Sequence, residues 1–237
     1  MRAHRALGLD GFNKGWVAVF LDGDAQEISF PGDVAQALSC AFDRAGIDIP
    51  IGMTDDGERD CDRLARAMLR PHTSRVFGGA RRWLWLEFAD PDRANAEAQR
   101  RGQKRASRQL WHLGRKIMEV DAFVRAHPSR DIREVHPELV FPRLNGNKPL
   151  PSKKSAEELA LRRRLLKRAG IRYIDRWLTH DRIGTGAKAD DVLDACAVAL
   201  AAREPAGSVP EGTPPHDACR LAMRIWFLFR TLTPACP

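Results

Sequence analysis

The sequence lacks any pairing of cysteines that would indicate a disulfide framework or a zinc site. Its five cysteines stand far apart, and none of them belongs to a Cys-x-x-Cys pair; they are at positions 40, 61, 196, 219 and 236. An odd, scattered set of this kind predicts reduced thiols. We therefore expect neither redox catalysis nor structural zinc.

The sequence also lacks long apolar runs. None approaches the roughly 20 residues that are needed to span a bilayer, and Asp10 interrupts the first apolar run too early for a secretory signal. No internal repeat or low-complexity linker divides the chain. We expect a cytoplasmic protein without a membrane partner. It would form a single domain over residues 1–237, with a helical insertion at about 55–128 and a C-terminal extension at about 205–237.

Basic residues exceed acidic ones. The chain has 39 lysines and arginines against 31 aspartates and glutamates, which gives a formal charge of +8 and a pI near 9.7. Such a balance favours polyanionic partners such as DNA or RNA, because each cation that meets a phosphate releases counterions. Charge alone leaves this partner open, since many arginine-rich proteins bind no nucleic acid.

The first 30 residues predict three antiparallel strands. Apolar runs at 6–9 and 17–20 flank a bend that contains Asp10 and two glycines, and residues 26–30 supply the third strand. Asp10 by itself is typical of a turn residue, since aspartate hydrogen-bonds the local backbone. The alternative is that other carboxylates converge on it.

The rest of the chain alternates between predicted helices and strands. Asp48 lies among three isoleucines, where an unpaired charge would be costly. A purely structural role would be to pair with a cation or to cap the next turn, and a functional role stays open. Glu134 and His136 fall on one face of a predicted strand that alternates up to Pro137. Helices are predicted over residues 34–42, 55–71, 108–125 and 152–170, and a glycine-containing loop leads into a last, alanine-rich helix within residues 184–201. Strands are predicted over residues 47–52 and from residue 131 up to Pro137.

Two segments are strongly basic. The first combines arginines with aromatic residues, either to clamp phosphates and stack bases or, as we favour, for packing; it contains Arg75, Phe77, Arg81, Arg82, Trp83 and Trp85. The second is one side of the helix at 152–170, which is best explained as a solvated face, although a nucleic-acid backbone contact stays open; it carries Arg162, Arg163, Arg164, Lys167 and Arg168.

The last predicted helix begins with acidic residues. Asp191 and Asp194 are three positions apart and share a face near its first turn, close behind Asp190. Acids at a helix start stabilise the macrodipole and cap free amides, and one acid would be enough for that role. Several acids separated by small apolar residues indicate a helix that lies close against a sheet and directs two carboxylates to one point.

The order of these elements resembles a ribonuclease H-like α/β fold: a mixed sheet with an antiparallel three-strand opening and then parallel strands, flanked by helices. Asp191-x-x-Asp194-Ala-x-Ala is similar to the last catalytic helix of the Holliday-junction resolvase branch. Nearly the whole chain resembles the prokaryotic family named domain of unknown function 429, described as predicted ribonuclease H-like nucleases. The resemblance lies in Gly8-Leu9-Asp10-Gly11, Gly15-Trp16, Ile47–Gly52, Trp111-His112, Lys116-Ile117, Glu134–Glu138 and Asp190–Ala195.

The resemblance implies a metal-dependent nuclease that hydrolyses phosphodiester bonds with two Mg²⁺ or Mn²⁺ ions. Such ions prefer oxygen ligands, and a pair about 3.5–4 Å apart stabilises the attacking and leaving oxygens. By the same resemblance Asp10, Asp48, Asp191 and Asp194 would be the metal ligands, and Glu134 a further catalytic group. We also assign Lys188 and Arg75 to substrate phosphate.

Two other functions remain open at this point. A nucleic-acid-binding protein without turnover would use the same fold and the basic residues. A phosphotransferase of the actin-like class also begins with an aspartate and glycines in a hairpin, but it normally needs two related domains, and this sequence shows one such opening.

Overall fold

The computed structural model of the protein describes residues 4–151, 155–204 and 206–229. Residues 152–154, at the predicted start of a helix, lie outside the described residues, as do Cys236 and the end of the predicted C-terminal extension. The chain divides into two compact units. One unit consists of Met1–Asp48, Arg130–Gly207 and Trp226–Pro237, and the other consists of Ile49–Ser129 and Ser208–Ile225.

Seven strands lie in the described residues: β1 (Ala6–Phe12), β2 (Gly15–Asp22), β3 (Ala25–Ser29), β4 (Arg44–Ile47), β5 (Ile132–Glu134), β6 (Ala206–Val209) and β7 (Ile225–Leu228). The first five form one sheet in the order β3-β2-β1-β4-β5, and β6 pairs with β7. β1 is antiparallel to β2, β2 is antiparallel to β3, and β1, β4 and β5 run parallel. This mixed sheet, flanked by helices, confirms the predicted α/β class and is consistent with a ribonuclease H-like fold.

The helices follow one another in this order: α1 (Val34–Ala37), α2 (Asp60–Met68), a 3₁₀ turn (Thr73–Arg75), α3 (Trp83–Leu86), α4 (Pro91–Arg100), α5 (Arg108–Ala126), α6 (Pro137–Leu144), α7 (Ala156–Arg168), α8 (Ile174–Trp177) and α9 (Ala189–Arg203). Across residues 4–151, 155–204 and 206–229, no helix combines the length and the apolar character that a membrane crossing requires. The four cysteines in these ranges are free thiols, as expected.

Three predicted elements are shorter in the structure. The helix predicted over 34–42 ends at Ala37, where the hydroxyl of Ser39 donates to the carbonyl of Gln36 at 2.8 Å. The strand predicted over 47–52 begins earlier, at Arg44, and ends before Asp48. The strand predicted from residue 131 up to Pro137 ends at Glu134, because Pro137 starts α6.

His136 therefore does not share a strand face with Glu134, and that prediction is wrong. His136 is the N-cap of α6, where its Nδ1 accepts from the backbone N–H of Glu138 at 3.4 Å. A proline at the first position of a helix leaves the preceding residue in an extended conformation, which suits a cap.

α9 lies directly on the sheet. Its residues from Val192 to Ala202 are all buried, and five of these eleven residues are alanines. A Cβ on Gly8 of β1 would overlap the backbone of Ala195 and Ala199, so only glycine permits this distance of approach. The expectation of a small-residue helix close against a sheet is confirmed.

In the second unit, buried ion pairs join the two segments of chain. Arg82 donates to Asp121 Oδ1 and to Asp217 Oδ2, each at 2.7 Å. Asp217 also accepts from the backbone N–H of Met53 at 3.0 Å. Asp217 belongs to residues 208–225, whereas the other three belong to residues 49–129, so this cluster ties the segments together.

The basic aromatic segment of the second unit is used largely for packing, which was the favoured interpretation. Trp83 is buried, and its indole N–H donates to the carbonyl of Asp55 at 3.2 Å. The indole N–H of Trp85 donates to the carbonyl of Trp111 at 3.3 Å. Arg82 is held by the ion pairs described above. Arg81 is buried too, but without a carboxylate bonded to it.

Candidate functional site

Asp10 and Asp48 lie side by side at the carboxyl ends of β1 and β4. Leu9 pairs with Ile47, and the N–H of Asp48 donates to the carbonyl of Leu9 at 3.0 Å, so the next residues in register are Asp10 and Asp48. Side chains alternate along a strand, and Asp10 is two residues beyond Gly8. Gly8 faces α9, so Asp10 projects to the α9 side of the sheet as well.

The same reasoning places Asp48. It is two residues beyond Gly46, on which a Cβ would lie 2.7 Å from Cγ1 of Val198 in α9. Asp10 is nearly buried, and its Oδ1 accepts from the N–H of Gly11 at 2.9 Å; Asp48 is partly exposed. Two carboxylates from neighbouring parallel strands therefore face the helix from one edge of the sheet.

α9 runs antiparallel to β1 and β4, which brings its first turn to this edge. At one end of the helix Arg44, which starts β4, donates to the carbonyl of Ala202 at 3.2 Å. At the other end a Cβ on Gly186, just before α9, would lie 3.3 Å from the ring of Phe12 at the end of β1. The acids of the first turns thus lie over the end of the sheet that carries Asp10 and Asp48.

Asp191 is fixed at the start of α9 and has a perturbed pKa. Its Oδ2 accepts from the N–H of the N-cap residue, Lys188, at 2.7 Å. Burial, followed by the negative charges of Asp190 and Asp194, raises its pKa to about 6, although the bond from Lys188 opposes this shift. The charged form of Asp191 is therefore disfavoured in this position, and a bound cation would stabilise it.

We expect the substitution Asp191→Asn to stabilise the metal-free protein at pH 8. A folded-state pKa above the usual 3.8 makes the ionised group unfavourable to folding, and this cost grows from about pH 4 until the pH passes 6. Asparagine keeps an oxygen for the N–H of Lys188 and carries no charge. After discounting for partial solvent exposure and the lost helix-dipole interaction, the expected gain is about 1 kcal/mol.

Urea unfolding with a chelator present measures this effect. The gain should fall to about half at pH 5 and vanish below about pH 3, where the carboxyl is protonated in both states. A variant that is less stable than the parent at pH 8 would show that ionised Asp191 does not destabilise the folded protein.

Asp194 is held by a buried ion cluster around Arg162 of α7. Nη1 of Arg162 donates to Asp194 Oδ1 at 2.6 Å, Nη2 donates to Glu138 Oε1 at 2.5 Å, and Nε donates to Glu158 Oε1. The guanidinium also stacks on the ring of Phe141, 4.2 Å from its centroid. Residues from α6, α7 and α9 thus share one guanidinium.

This ion cluster has more negative than positive charge. Burial lowers the pKa of Arg162, but Asp194 and Glu138 raise it more, so the guanidinium stays charged. Each of the three carboxylates has at most a few percent of its side chain exposed. One oxygen of Glu158 has no hydrogen-bond partner. Arg162 is thus the cation that keeps these acids folded together, and it fixes Asp194 one turn from Asp191.

Glu134 lies elsewhere. It pairs with Ile47 in the sheet, so its side chain alternates to the face opposite Asp10 and Asp48, and it is buried there. Lys188 is exposed at the start of α9, next to the acidic turn. Arg75 belongs to the second unit.

The carboxylates at this edge of the sheet are the type of ligand that a hard divalent cation prefers. Asp10, Asp48 and Asp191 offer carboxylate oxygens from three separate elements, and Mg²⁺ and Mn²⁺ prefer such ligands. Within the ranges that the structure describes, no three His, Cys, Asp or Glu side chains stand close enough together to form a ready-made metal group. The backbone therefore brings the acids to one edge without clustering their carboxylates.

The sequence reasoning missed the role of Arg162. Its position among other basic residues predicts a solvated face, whereas it is 1% exposed. One signal was available: Glu158 and Arg162 are four residues apart in α7, a spacing that forms ion pairs on one helix face. The contributions of Glu138 and Asp194 come from other helices, which no local pattern indicates.

A family model described as "Protein of unknown function (DUF429)" matches residues 8–218, which include every carboxylate discussed above. Neither the curated proteins nor the solved structures gave a match to this chain.

Proposed function

The chain belongs to the DUF429 family, whose function is unknown, and we propose that it is a divalent-metal-dependent nuclease that hydrolyses phosphodiester bonds of DNA or RNA. The observation that supports this most is the meeting of Asp10, Asp48 and Asp191 at one end of the sheet. These residues come from two strands and a helix that are distant in sequence. Acids that serve only as turns or caps have no reason to share one edge.

In this proposal Asp10, Asp48 and Asp191 hold two Mg²⁺ or Mn²⁺ ions. Ions so bound supply an activated water and stabilise the negative charge that develops on the phosphate. The chain itself supplies rigid placement: Asp10 is fixed by the N–H of Gly11, and Asp191 by the N–H of Lys188. Carboxylates that are already held in place need little reorientation during a reaction, and this lowers its free-energy cost.

Asp194 and Lys188 have supporting roles in the proposal. Arg162 holds one oxygen of Asp194, so we assign Asp194 to the site as a fourth acid whose orientation is set from behind. Lys188 is exposed beside the acidic turn and would contact a substrate phosphate. Glu134, on the opposite face of the sheet, and Arg75, in the second unit, have no assigned role.

The proposed partner is nucleic acid, and the proposed compartment is the cytoplasm. The formal charge of +8 favours a polyanion, and the scattered free thiols suit a reducing environment. The positive charge is compatible with either DNA or RNA, so the substrate has to be identified by experiment.

Purified protein should cleave nucleic acid only when a divalent cation is present. The assay uses end-labelled single-stranded DNA, duplex DNA, a four-way junction and RNA, each with Mg²⁺, Mn²⁺ or chelator. Cleavage of at least one substrate with Mn²⁺ and none with chelator supports the proposal. Absence of cleavage with all four substrates and both metals contradicts it.

One observation favours a second candidate, a nucleic-acid-binding protein without turnover. The described acids do not form a ready-made metal group, and one oxygen of Asp194 is already bonded to Arg162. That candidate predicts binding with a steep salt dependence, no change on adding Mn²⁺ and no cleavage. The same substrates in a binding titration separate the two functions.

A further inference from the structure

We propose that the second unit contains a separate binding site for a phosphate ester, formed by Arg81, Lys104 and Arg105 around a cavity with glycine walls. The site lies wholly within residues 49–129 and does not depend on the nuclease proposal.

The cavity has a volume of about 510 Å³, which is within the range of small-molecule sites. Three loops enclose it: the loop before α2, the loop before α3 and the loop after α4. It is lined by Asp56, Gly57, Glu58, Gly78, Gly79, Arg101, Gly102, Gln103, Lys104 and Arg105.

Two of the five charged residues that line the cavity are already neutralised by ion pairs. Glu58 forms an ion pair with Arg66. Arg101 pairs with Glu97 at 2.6 Å and with Glu87 at 3.1 Å, and it also lies over the ring of Trp83. These groups therefore contribute little net charge to the cavity.

Three cations near the cavity have no ion-pair partner among the described residues. Lys104 and Arg105 line it and are exposed, and neither forms an ion pair. Arg81 lies directly behind the wall: its Nη1 donates to Gln103 Oε1 at 2.9 Å, and its Nη2 donates to the carbonyl of Lys104 at 2.7 Å. Both acceptors are uncharged.

Arg81 is the strongest indication of an anion. It is 1% exposed, and its Nε has no hydrogen-bond partner. Burial lowers the pKa of Arg81, and Asp56, the opposing charge that acts on it, offsets this only in part. A buried guanidinium without a counter-ion is unfavourable, because the charge has lost its solvation by water. Of the two acids that line the cavity, Glu58 is paired with Arg66, so Asp56 alone opposes the charges of Arg81, Lys104 and Arg105. An anion in the cavity would balance the positive charge that remains.

Glycines keep the backbone accessible along the wall. Gly57, Gly79 and Gly102 have φ values of +70°, +84° and +69°, which side chains resist. A Cβ on Gly57 or Gly102 would meet nothing within 4 Å, so the wall is open rather than crowded at these points. A ligand can therefore approach the backbone closely.

These features together fit a phosphate ester. A phosphate monoester carries close to two negative charges at neutral pH and accepts several hydrogen bonds from arginine and lysine. The volume exceeds that of the phosphate alone, so room remains for the group attached to it. The phosphate could belong to a free nucleotide or to the end of a nucleic-acid strand.

Calorimetric titration and thermal shift test this site in the full chain with chelator present. The ligands are inorganic phosphate, AMP, and a short single-stranded oligonucleotide with or without a 5′-phosphate. We expect AMP to bind, and the double variant Lys104→Ala/Arg105→Ala to bind at least tenfold more weakly. The matched control is Arg93→Ala/Arg108→Ala, which removes two exposed, unpaired charges from outside the cavity lining.

The variant Arg81→Met addresses the buried charge. Its own Tm can move in either direction, so the readout is the rise in Tm on adding AMP, which follows ligand occupancy. We expect this rise in the parent and in the control but not in Arg81→Met. A preference for the 5′-phosphorylated oligonucleotide over AMP would identify a strand end as the ligand, and the reverse a free nucleotide. Equal binding by the parent, both double variants and Arg81→Met, or no binding of any phosphate by the parent, would overturn the proposal.

Discussion

Asp10→Asn is expected to lower the rate of metal-dependent cleavage about a thousandfold or more. A loss of that size corresponds to about 4 kcal/mol of transition-state stabilisation. Asparagine has nearly the same shape and keeps an oxygen to accept from the N–H of Gly11, so the bend after β1 should remain. The change removes the negative charge that the proposed divalent cation would require at this position.

Asp22→Asn is the matched control. Asp22 ends β2, on the same antiparallel hairpin, but it follows Leu21, the partner of Ala6, so it lies beside the opposite end of β1 from Asp10. It should retain activity within about twofold of the parent, because surface substitutions rarely have larger effects. Rates that match the parent in both variants would remove Asp10 from the proposed chemistry. Thermal unfolding of both variants checks that any loss is not a loss of fold.

Arg162→Met is expected to cost about 3–5 kcal/mol of folding free energy at pH 8. The change leaves Asp194, Glu138 and Glu158 buried without the guanidinium that they share. Removing one partner of a buried ion pair leaves an uncompensated charge, and this is where the large cost arises. Methionine keeps most of the apolar contact with Phe141, so the loss reports mainly on charge.

The dependence on pH separates charge from packing. Without Arg162 the pKa values of the buried carboxyl groups should rise, because burial favours their neutral form. The folded variant then takes up protons as the pH falls, and its deficit relative to the parent should shrink between pH 8 and pH 5. Arg164→Met, on the exposed side of α7, is the control and should change stability by less than about 0.5 kcal/mol. A deficit that stays constant with pH would indicate that packing, not charge, is lost.

The parts of the fold that follow local rules could be predicted from sequence. Apolar runs and the glycine-containing bend predict β1 and β2 to within two or three residues at each end, because a hairpin depends on neighbours in sequence. Asp10, which was predicted in the bend, lies within β1. The alanine-rich run after Asp191 predicts α9 and its close approach to the sheet. Asp10, Asp48 and Asp191 were each visible as acids at the ends of such elements.

The rest depends on contacts between residues distant in sequence. Arg162 is one of five basic residues on α7, and only the folded chain shows that it points inwards while Arg164 points to solvent. Glu134 was assigned to the carboxylate site by resemblance, but the register of β5 puts it on the other face. The uncompensated charge of Arg81 can be recognised only in the folded chain, because the cavity beside it is formed by three separate loops.

The most direct test of the metal-dependent nuclease proposal is a crystal soaked in MnCl₂ and measured at the manganese absorption edge. Anomalous density shows whether ions bind, where they bind, and which side chains hold them, without requiring the right nucleic acid. We predict two peaks between the ends of β1 and β4 and the start of α9, contacted by Asp10, Asp48 and Asp191. Crystals with full manganese exposure and no peak within reach of these three carboxylates would contradict the account.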